Sequence, residues 1–377
     1  MDYDKLALDL HRQYKGKITM SLRDTDELDK TKLSAYYTPG VAAVSRAIAD
    51  DPSLLPVYTW TNNLVAVISD GSAVLGLGDI GPRGSMPVME GKALLFKHFA
   101  GIDSVPITLD VHSVDEIIAT VKAIAPSFGA INLEDIAAPK CFEIEERLKA
   151  ELDIPVFHDD QHGTAIVVLS GLINAMKVVD KELSKTKIVI IGAGAAGTAI
   201  IKLLHLYAAP QIIAVDSKGI ISTSRTDLNA EKQALIEYID ASQTGSLDNA
   251  ITDADIFIGV SRPGLLNANH INSMAQNPVI FALANPTPEI MPDVAKQAGA
   301  AVVATGRSDF ANQVNNALAF PGIFRGALDN GVHKITDEHK IAAAKAIAGL
   351  VENPTADMVI PDVFDDRLVP TIARVIR

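Results

Sequence analysis

Two pairs of adjacent carboxylates follow apolar runs that have the character of short strands. Glu134 and Asp135 end the run INL, and Asp159 and Asp160 end the run PVFH. Strands that finish in this way can bring four carboxylates to one rim of a sheet, where the charges would repel one another and resist burial. A divalent cation would resolve that conflict, because hard cations prefer oxygen ligands. Alternatively, these acids cap the helices that follow, or one of them holds a catalytic lysine.

Further side chains could take part in proton transfer near these acids. Lys92 follows Gly91 at the start of a helical run, and a helix N-terminus lowers the pKa of a lysine, which would suit a general base. The alternative is a solvated lysine on a helix. Tyr37 precedes a TPG turn and could donate a proton, or it could simply be a tyrosine packed beside that turn. His158 and His162 flank the second acidic pair, either as ligands or as supporting residues.

A glycine-rich turn provides the signature of a dinucleotide site. The pattern G-x-G-x-x-G follows the strand-like run KIVII and opens a helix, and its residues are Gly192, Ala193, Gly194, Ala195, Ala196 and Gly197. The three glycines allow a tight turn, a close approach of backbone to pyrophosphate, and close packing of helix on strand. Asp216 ends the next strand and can accept hydrogen bonds from ribose hydroxyls, which favours NAD over NADP. Lys218 weakens that preference because it could reach a 2′-phosphate.

Two asparagines are candidates for ligand binding. Asn285 follows the run FALA, at the carboxyl end of a predicted strand, and such ends line the ligand crevice of an open sheet. Asn285 could therefore hydrogen-bond a carboxamide of the cofactor or a carboxylate of a substrate. Asn316 precedes a Phe-Pro-Gly sequence and could act in the same way. The alternative for both is turn formation beside proline.

The elements that must position these residues alternate between strands and helices. Strands are predicted at 64–69, 105–109, 130–133, 187–191, 211–215, 256–260, 279–283 and 301–304. The pattern predicts an α/β protein with mostly parallel sheets: an N-terminal α/β substrate domain and a Rossmann-type doubly wound NAD-binding domain. We expect the first domain to cover 1–160 and the second 161–377, with a helical tail at 317–377 that can pack back on the first domain.

The bulk composition narrows the class of partner. The chain has 377 residues and a formal net charge of −13, which argues against a nucleic-acid partner. A polar amino terminus and interrupted apolar stretches predict no membrane span. A single cysteine, Cys141, excludes an internal disulfide and fits a reducing compartment. These features predict a cytoplasmic protein that acts on a small molecule.

Taken together, these residues resemble the malic enzyme family in its short bacterial form. The resemblance covers nearly the whole chain in the expected order. It is carried by YTPGVA at 37–42, SDGSAVLGLGDIGP at 69–82, PVMEGKALLFK at 87–97, INLEDIAAP at 131–139, PVFHDDQHGTAIV at 155–167, GAGAAG at 192–197, FALANPTPE at 281–289 and NNALAFPGIFRGAL at 315–328.

The resemblance implies oxidation of L-malate by NAD, or less favourably NADP, and decarboxylation to pyruvate and CO2 with Mg²⁺ or Mn²⁺. It also allows oxaloacetate decarboxylation. By position it implies roles for eight residues: metal ligands Glu134, Asp135 and Asp160, general base Lys92 with its partner Asp159, proton donor Tyr37, and substrate contacts Asn285 and Asn316. Homodimers are usual in that family, so the resemblance implies a homodimer.

One departure and two alternatives accompany the resemblance. Larger family members carry an arginine that contacts a substrate carboxylate in the loop before LGLGD, and the matching residue here is Ala73. The cation that binds the second malate carboxylate is therefore unassigned. One alternative activity is the malolactic reaction, which gives lactate and retains the cofactor. The other is a catalytically silent protein that senses a dinucleotide.

Overall fold

The computed structural model describes residues 3–74 and 76–377, so Leu75 of the glycine-rich segment at 69–82 lies outside the described residues. The first part of the chain contains seven described helices and four strands. They are α1 (Tyr3–Tyr14), α2 (Lys30–Tyr36), α3 (Val41–Asp50), α4 (Leu55–Tyr58), β1 (Leu64–Ser69), α5 (Gly81–Ala100), β2 (Asp103–Thr108), α6 (Val114–Ile124), β3 (Ala130–Leu133), α7 (Lys140–Glu151) and β4 (Val156–His158).

The first sheet is wholly parallel and has the strand order β2-β1-β3-β4. Strand β1, with the sequence LVAVIS, is buried along its whole length. Helices cover both faces of such a sheet, which explains the unbroken apolar run. The chain leaves β1 for β2 on one side and then returns to β3 on the other. Ligands bind at such a reversal of strand order, beyond the carboxyl ends of the strands.

The second part of the chain forms a six-stranded sheet. Its elements are α8 (Asp159–Val179), β5 (Lys187–Ile191), α9 (Ala195–Ala208), β6 (Gln211–Asp216), β7 (Gly219–Ile220), α10 (Ala230–Ala234), α11 (Leu247–Ile251), β8 (Ile256–Gly259), α12 (Ala268–Ser273), β9 (Val279–Ala282), α13 (Pro292–Gln297), β10 (Val302–Thr305), α14 (Phe320–Asn330), α15 (Asp337–Gly349) and α16 (Leu368–Ala373). The order is β10-β9-β8-β5-β6-β7, and only β7 runs antiparallel. The predicted α/β, doubly wound fold is confirmed.

Helix α8 and the carboxyl-terminal helices join the two sheets. By length and composition α8 could cross a membrane, but it packs against α9 and α15 and most of its apolar part is buried, as in the core helix of a globular protein. Phe320 and Phe324 of α14 pack against Phe96 of α5, with ring centroids 4.7 and 5.1 Å apart. One continuous apolar core therefore includes residues of both sheets.

The amino-terminal helices differ from the rest of the molecule. None of the described residues in α1, α2, α3 and α4 is buried. The chain between α1 and α2 does contact the first domain, because the backbone N–H of Lys17 donates to the carboxylate of Glu90 in α5. These helices are thus attached to the core but contribute no side chain to it.

Candidate active site

Two neighbouring strands place the four acids at one rim of the first sheet. Leu133 of β3 pairs with His158 of β4, so both strands end at the same level. Carboxylate oxygens of Glu134, Asp135 and Asp160 lie within 4.8 Å of one another. Glu134 and Asp135 are only 3% and 4% exposed, whereas Asp160 is partly buried. The adjacent strand ends therefore bring together the three residues that the family resemblance implies as metal ligands.

Local hydrogen bonds hold this cluster in place. Asp135 has a φ of 53°, in the left-handed region, and its backbone N–H donates to Asp160 over 2.7 Å. The side-chain amide of Asn132 donates to Glu134 over 2.9 Å. Burial, together with the charges of the neighbouring acids, holds the pKa of Glu134 well above its ordinary value despite the counteracting charge of Lys92. Three crowded carboxylates of this kind fit an Mg²⁺ or Mn²⁺ ion, since the donors are all oxygen.

The fourth acid, Asp159, is turned towards a lysine. Lys92 is 7% exposed, and its Nζ contacts the carboxylate of Asp159 and lies 3.0 Å from Glu134 Oε1. A methyl group on Gly163 would lie 1.9 Å from Asp159, so only glycine leaves room for this carboxylate. The ring of Phe320 lies 4.4 Å from Lys92 Nζ and closes the other side.

The predicted position of Lys92 at a helix start is wrong, although the residue lies in the site. Helix α5 begins at Gly81, so Lys92 stands in its middle and not in the first turn. The helix dipole therefore does not set its protonation. Burial acts to lower the pKa of Lys92, but the charges of Asp159, Glu134 and Asp160 outweigh burial and raise it.

The dinucleotide turn has the close contacts that its glycines predict. Gly192 has a φ of 107°, and a Cβ there would lie 2.6 Å from the carbonyl oxygen of Val260. A Cβ on Gly197 would lie 1.7 Å from the Gly192 carbonyl oxygen. Gly194 precedes α9, whose first turn contains Ala195 and Ala196. The free N–H groups at this helix end can bind phosphate, so the turn fits a dinucleotide.

Asp216 ends β6 as predicted, but its carboxylate already has partners. Arg225 and Lys232 approach its two oxygens to 2.7 and 2.6 Å, and the backbone N–H of Lys218 donates over 2.9 Å. Burial raises the pKa of Asp216, but these hydrogen bonds lower it overall. The side chain of Lys218 pairs instead with Asp227, 2.8 Å away. A ribose must therefore compete with these cations for Asp216.

A cavity of about 900 Å³ lies between the carboxyl ends of the two sheets. Its lining unites most of the predicted residues: Lys92, Glu134, Asp135, Asp160, Gly194, Ala195, Ala196, Asn285 and Asn316. Metal, substrate and nicotinamide could meet in this space. Sequence patterns gave no signal for His11 and Lys17, which also line it.

Glu289 is another residue near the cavity that the sequence patterns did not predict. It is fully buried and accepts hydrogen bonds from the backbone N–H groups of Ser261 and Ala284, each 3.0 Å long. These bonds tie the loop after β8 to the loop after β9, which carries Asn285. The only sequence signal was its place at the end of the FALANPTPE motif.

Three predicted candidates lie elsewhere or face other partners. Tyr37 follows α2, is 68% exposed, and is not among the described residues that line the cavity. His158 is fully buried, with Nδ1 3.8 Å from Asp160 Oδ2. His162 bonds to Glu145 over 2.8 Å and not to the acidic cluster. Neither histidine is among the described residues that line the cavity.

Known proteins match this chain along its whole length. The family described as malic enzyme, N-terminal domain, matches residues 16–149, and malic enzyme, NAD binding domain, matches 161–373. A bifunctional malic/malolactic enzyme of Bacillus subtilis is 54% identical over 98% of this chain and 91% of its own. An NADP-dependent malic enzyme of Halomonas elongata is 48% identical over 97% of this chain and 88% of its own.

A solved structure agrees with these matches. The crystal structure of an NAD-dependent malic enzyme from Thermotoga maritima has a TM-score of 0.95 and 50% identity, and the match covers 98% of each chain. These relatives differ in the cofactor that their names give, so the matches leave NAD and NADP unresolved. The resemblance seen in the sequence motifs is confirmed, and the chain belongs to the malic enzyme family.

Proposed function

We propose that this protein catalyses the metal-dependent oxidative decarboxylation of L-malate to pyruvate and CO2, with reduction of NAD. The observation that carries the proposal is that Lys92, three clustered carboxylates and the dinucleotide turn line one cavity. Glu134, Asp135 and Asp160 would hold Mg²⁺ or Mn²⁺, and the turn at 192–197 would hold the cofactor phosphates. A cytoplasmic location and a small-molecule partner fit the net charge of −13 and the single cysteine.

In this proposal Lys92 takes the proton of the C2 hydroxyl. Asp159, which contacts the Lys92 nitrogen, would then stabilise the ammonium that forms. Glu134 and Asp160 also raise the pKa of Lys92. As metal ligands, these two carboxylates would pair with the cation, which would offset their effect on that pKa. When bound, that cation would polarise the C2 oxygen, and the nicotinamide would accept the C2 hydride. Asn285 and Asn316 would hold malate by its carboxylates. Tyr37 is the proton donor to C3 that the family resemblance implies, and it would have to reach the cavity from the exposed turn after α2.

The decisive assay uses the purified protein with L-malate, NAD and Mn²⁺, following NADH, CO2 and the three-carbon product. We expect equal amounts of NADH, CO2 and pyruvate. Lactate without net NADH would overturn oxidative decarboxylation. An absence of turnover with either NAD or NADP would favour a protein that only senses the dinucleotide.

A substitution tests the role of Lys92 directly. Lys92→Ala should lower malate oxidation by at least about a hundredfold, the usual contribution of a general base, and leave NAD binding intact. Lys97→Ala is the matched control, because Lys97 lies on the same helix but pairs with Asp103 at the surface. Near-normal oxidation by Lys92→Ala would remove this residue from the mechanism.

The malolactic reaction is a second candidate. A relative that is 54% identical to this chain is named a bifunctional malic/malolactic enzyme. The same Lys92 and acidic cluster would serve both reactions, which differ in whether pyruvate is reduced before it leaves. Lactate formed alongside pyruvate and NADH in the assay above would support this second activity.

A further inference from the structure

Few positive charges line the active-site cavity. Among the described residues that line it, the only lysines or arginines are Lys17 and Lys92. Lys92 already contacts Asp159 and lies 3.0 Å from Glu134 Oε1. Ala73 also lines the cavity, but its methyl group carries no charge. A substrate with two carboxylates therefore meets one further lysine in this cavity, which is Lys17.

Lys17 reaches the cavity from the loop after α1. Its backbone N–H donates to the carboxylate of Glu90 over 3.2 Å, and its Nζ donates to the carbonyl oxygen of Pro87 over 2.5 Å. Both partners belong to α5, the helix that carries Lys92. A Cβ on Gly91 would lie 4.0 Å from Lys17 Nζ. The ammonium group of Lys17 is therefore held over the residue that directly precedes Lys92.

The Lys17 ammonium group has donors to spare. A lysine ammonium carries three N–H donors, and among residues 3–74 and 76–377 the Pro87 carbonyl is the only acceptor that bonds to Lys17 Nζ. Glu90 takes the backbone N–H of Lys17, and no described carboxylate forms an ion pair with its Nζ. Partial burial lowers the pKa of Lys17, and the charge of Glu90 offsets only part of this effect. An anionic ligand would stabilise this partly buried charge.

We propose that Lys17 binds the C1 carboxylate of malate, which is the carboxylate that remains in pyruvate. This rests on the proposed function, which makes malate the substrate. Lys17 and Lys92 border the same stretch of α5, so a substrate whose C2 hydroxyl faces Lys92 can extend a carboxylate towards Lys17. Asn285 and Asn316 line the cavity as well, but an amide can only orient a carboxylate and cannot neutralise its charge.

The chemistry of decarboxylation decides which carboxylate suits a cation. The C4 carboxylate leaves as neutral CO2 when the C3–C4 bond breaks, and the electron pair of that bond passes to the enolate. A cation at C4 would stabilise a charge that must disappear, and would thus favour the substrate over the transition state. The C1 carboxylate keeps its charge from malate to pyruvate. A cation at C1 therefore increases affinity for substrate and product without opposing the reaction.

A substitution tests this assignment. Lys17→Met removes the charge and keeps much of the length of the side chain. We expect the KM for malate to rise at least about tenfold, the scale of a hydrogen bond to a charged group, with kcat within about twofold of the wild type. Initial rates at saturating NAD and Mn²⁺ provide both constants. Lys15→Met is the matched control, because Lys15 lies in the same loop but is exposed and outside the cavity lining.

Pyruvate shows which carboxylate Lys17 holds, because pyruvate carries the C1 carboxylate alone. Its inhibition constant against malate should rise in Lys17→Met by about the same factor as the KM for malate. A rise in the KM for malate without any change in pyruvate inhibition would place Lys17 at the C4 carboxylate and contradict the proposal. An unchanged KM for malate would remove Lys17 from substrate binding altogether.

Two further variants separate the charge of Lys17 from its contact with Pro87. Lys17→Arg keeps the charge and should recover most of the affinity for malate. Lys17→Gln keeps a donor for the Pro87 carbonyl but has no charge, so it should behave like Lys17→Met. Wild-type affinity in Lys17→Gln would show that only the contact with α5 matters, and would overturn the proposal. A wild-type protein that does not oxidise malate refutes the proposed function instead, and this is seen before any variant is made.

Discussion

Two groups of charged residues at strand ends differ in their balance of charge. The acidic rim comprises Glu134, Asp135, Asp159 and Asp160, and Lys92 forms ion pairs with Glu134 and Asp159. The Asp216 cluster comprises two carboxylates and three cations: Asp216, Asp227, Lys218, Arg225 and Lys232. Both follow parallel strands, but the rim has an excess of negative charge and the cluster an excess of positive charge.

An acid at a strand end therefore does not define its own function. Four carboxylates around Lys92 leave the rim with a negative charge, so it can accept a cation. In the Asp216 cluster, Arg225 and Lys232 already balance the acid that was predicted to select NAD. Such a cluster could release Asp216 to a ribose or present its cations to a 2′-phosphate. The charged residues that face each acid in the folded protein decide between these possibilities.

The largest effect is expected at the acidic rim. Asp135→Asn removes one charge and one ligand oxygen while preserving the shape of the side chain. We expect malate oxidation to fall by at least about a hundredfold, since even outer-shell changes at metal sites cost 10- to 100-fold. Calorimetric titration of the variant with Mn²⁺ alone should show a matching loss of affinity.

Asp110→Asn is the matched control for this experiment. Asp110 also follows a strand of the first sheet, but it is exposed and lies outside the cluster. Its replacement should change neither Mn²⁺ affinity nor oxidation. Unchanged Mn²⁺ binding by Asp135→Asn would mean that the negative charge of the rim is not neutralised by a metal ion. The contrast with the Asp216 cluster would then disappear.

A smaller effect is expected in the Asp216 cluster. Asp216→Asn frees Arg225 and Lys232 from their carboxylate, and both become available to a 2′-phosphate. The ratio of kcat/KM with NADP to that with NAD should rise about tenfold, which corresponds to about 1.4 kcal/mol. Initial rates with both cofactors at saturating malate provide the measurement.

Asp240→Asn controls for a general effect on the second domain. Asp240 bonds to Gln211 and Ser242 and touches none of the three cations of the cluster. Its ratio of NADP to NAD use should match that of the wild type. A fall in the ratio for Asp216→Asn would show that the cations need Asp216 to hold them in place.

Sequence patterns predicted the fold well because its signals are local. Buried parallel strands such as LVAVIS and KIVII are continuous apolar runs, and the glycines of the dinucleotide turn follow one of them directly. The neighbouring positions of Glu134 and Asp160 were also predictable, because each residue follows a short apolar strand and the two strands pair in register. Each of these inferences depended on a few neighbouring residues.

Features that depend on which side chains face one another in the folded protein could not be predicted from the sequence. The sequence predicts Lys92 at a helix start, whereas in the structure its ammonium group contacts Asp159, which is 67 residues away. Arg225 and Lys232 were not singled out, because nothing in their neighbours indicates that they face Asp216. The exposure of Tyr37 depends on how the amino-terminal helices pack. Charge balance is a property of the folded site, which local patterns do not encode.

The smallest effect is expected at Glu145, a buried carboxylate that the protein's own groups balance. It accepts hydrogen bonds from His162 and from the backbone of His158, and Lys149 lies 2.6 Å away. Burial would raise its pKa, but His162 and Lys149 hold that pKa well below the ordinary 4.5. Glu145→Gln should therefore lower the free energy of unfolding at pH 7 by roughly 2 kcal/mol, the scale of a hydrogen bond to a charged group.

The pH dependence of that loss separates charge from shape. Because the folded pKa lies below the unfolded value, the stabilisation by Glu145 is complete above about pH 4.5 and is lost as pH falls through the folded pKa. Burial lowers the pKa of His162 to about 4, so it stays neutral over most of this range. Urea unfolding at pH 7, 5.5 and 4 should show the wild type and Glu145→Gln converging in acid, while exposed Glu146→Gln matches the wild type throughout. A stability difference that does not change with pH would mean that Glu145 acts through its shape. The charge pairing of Glu145 with protein groups would then contribute nothing to stability.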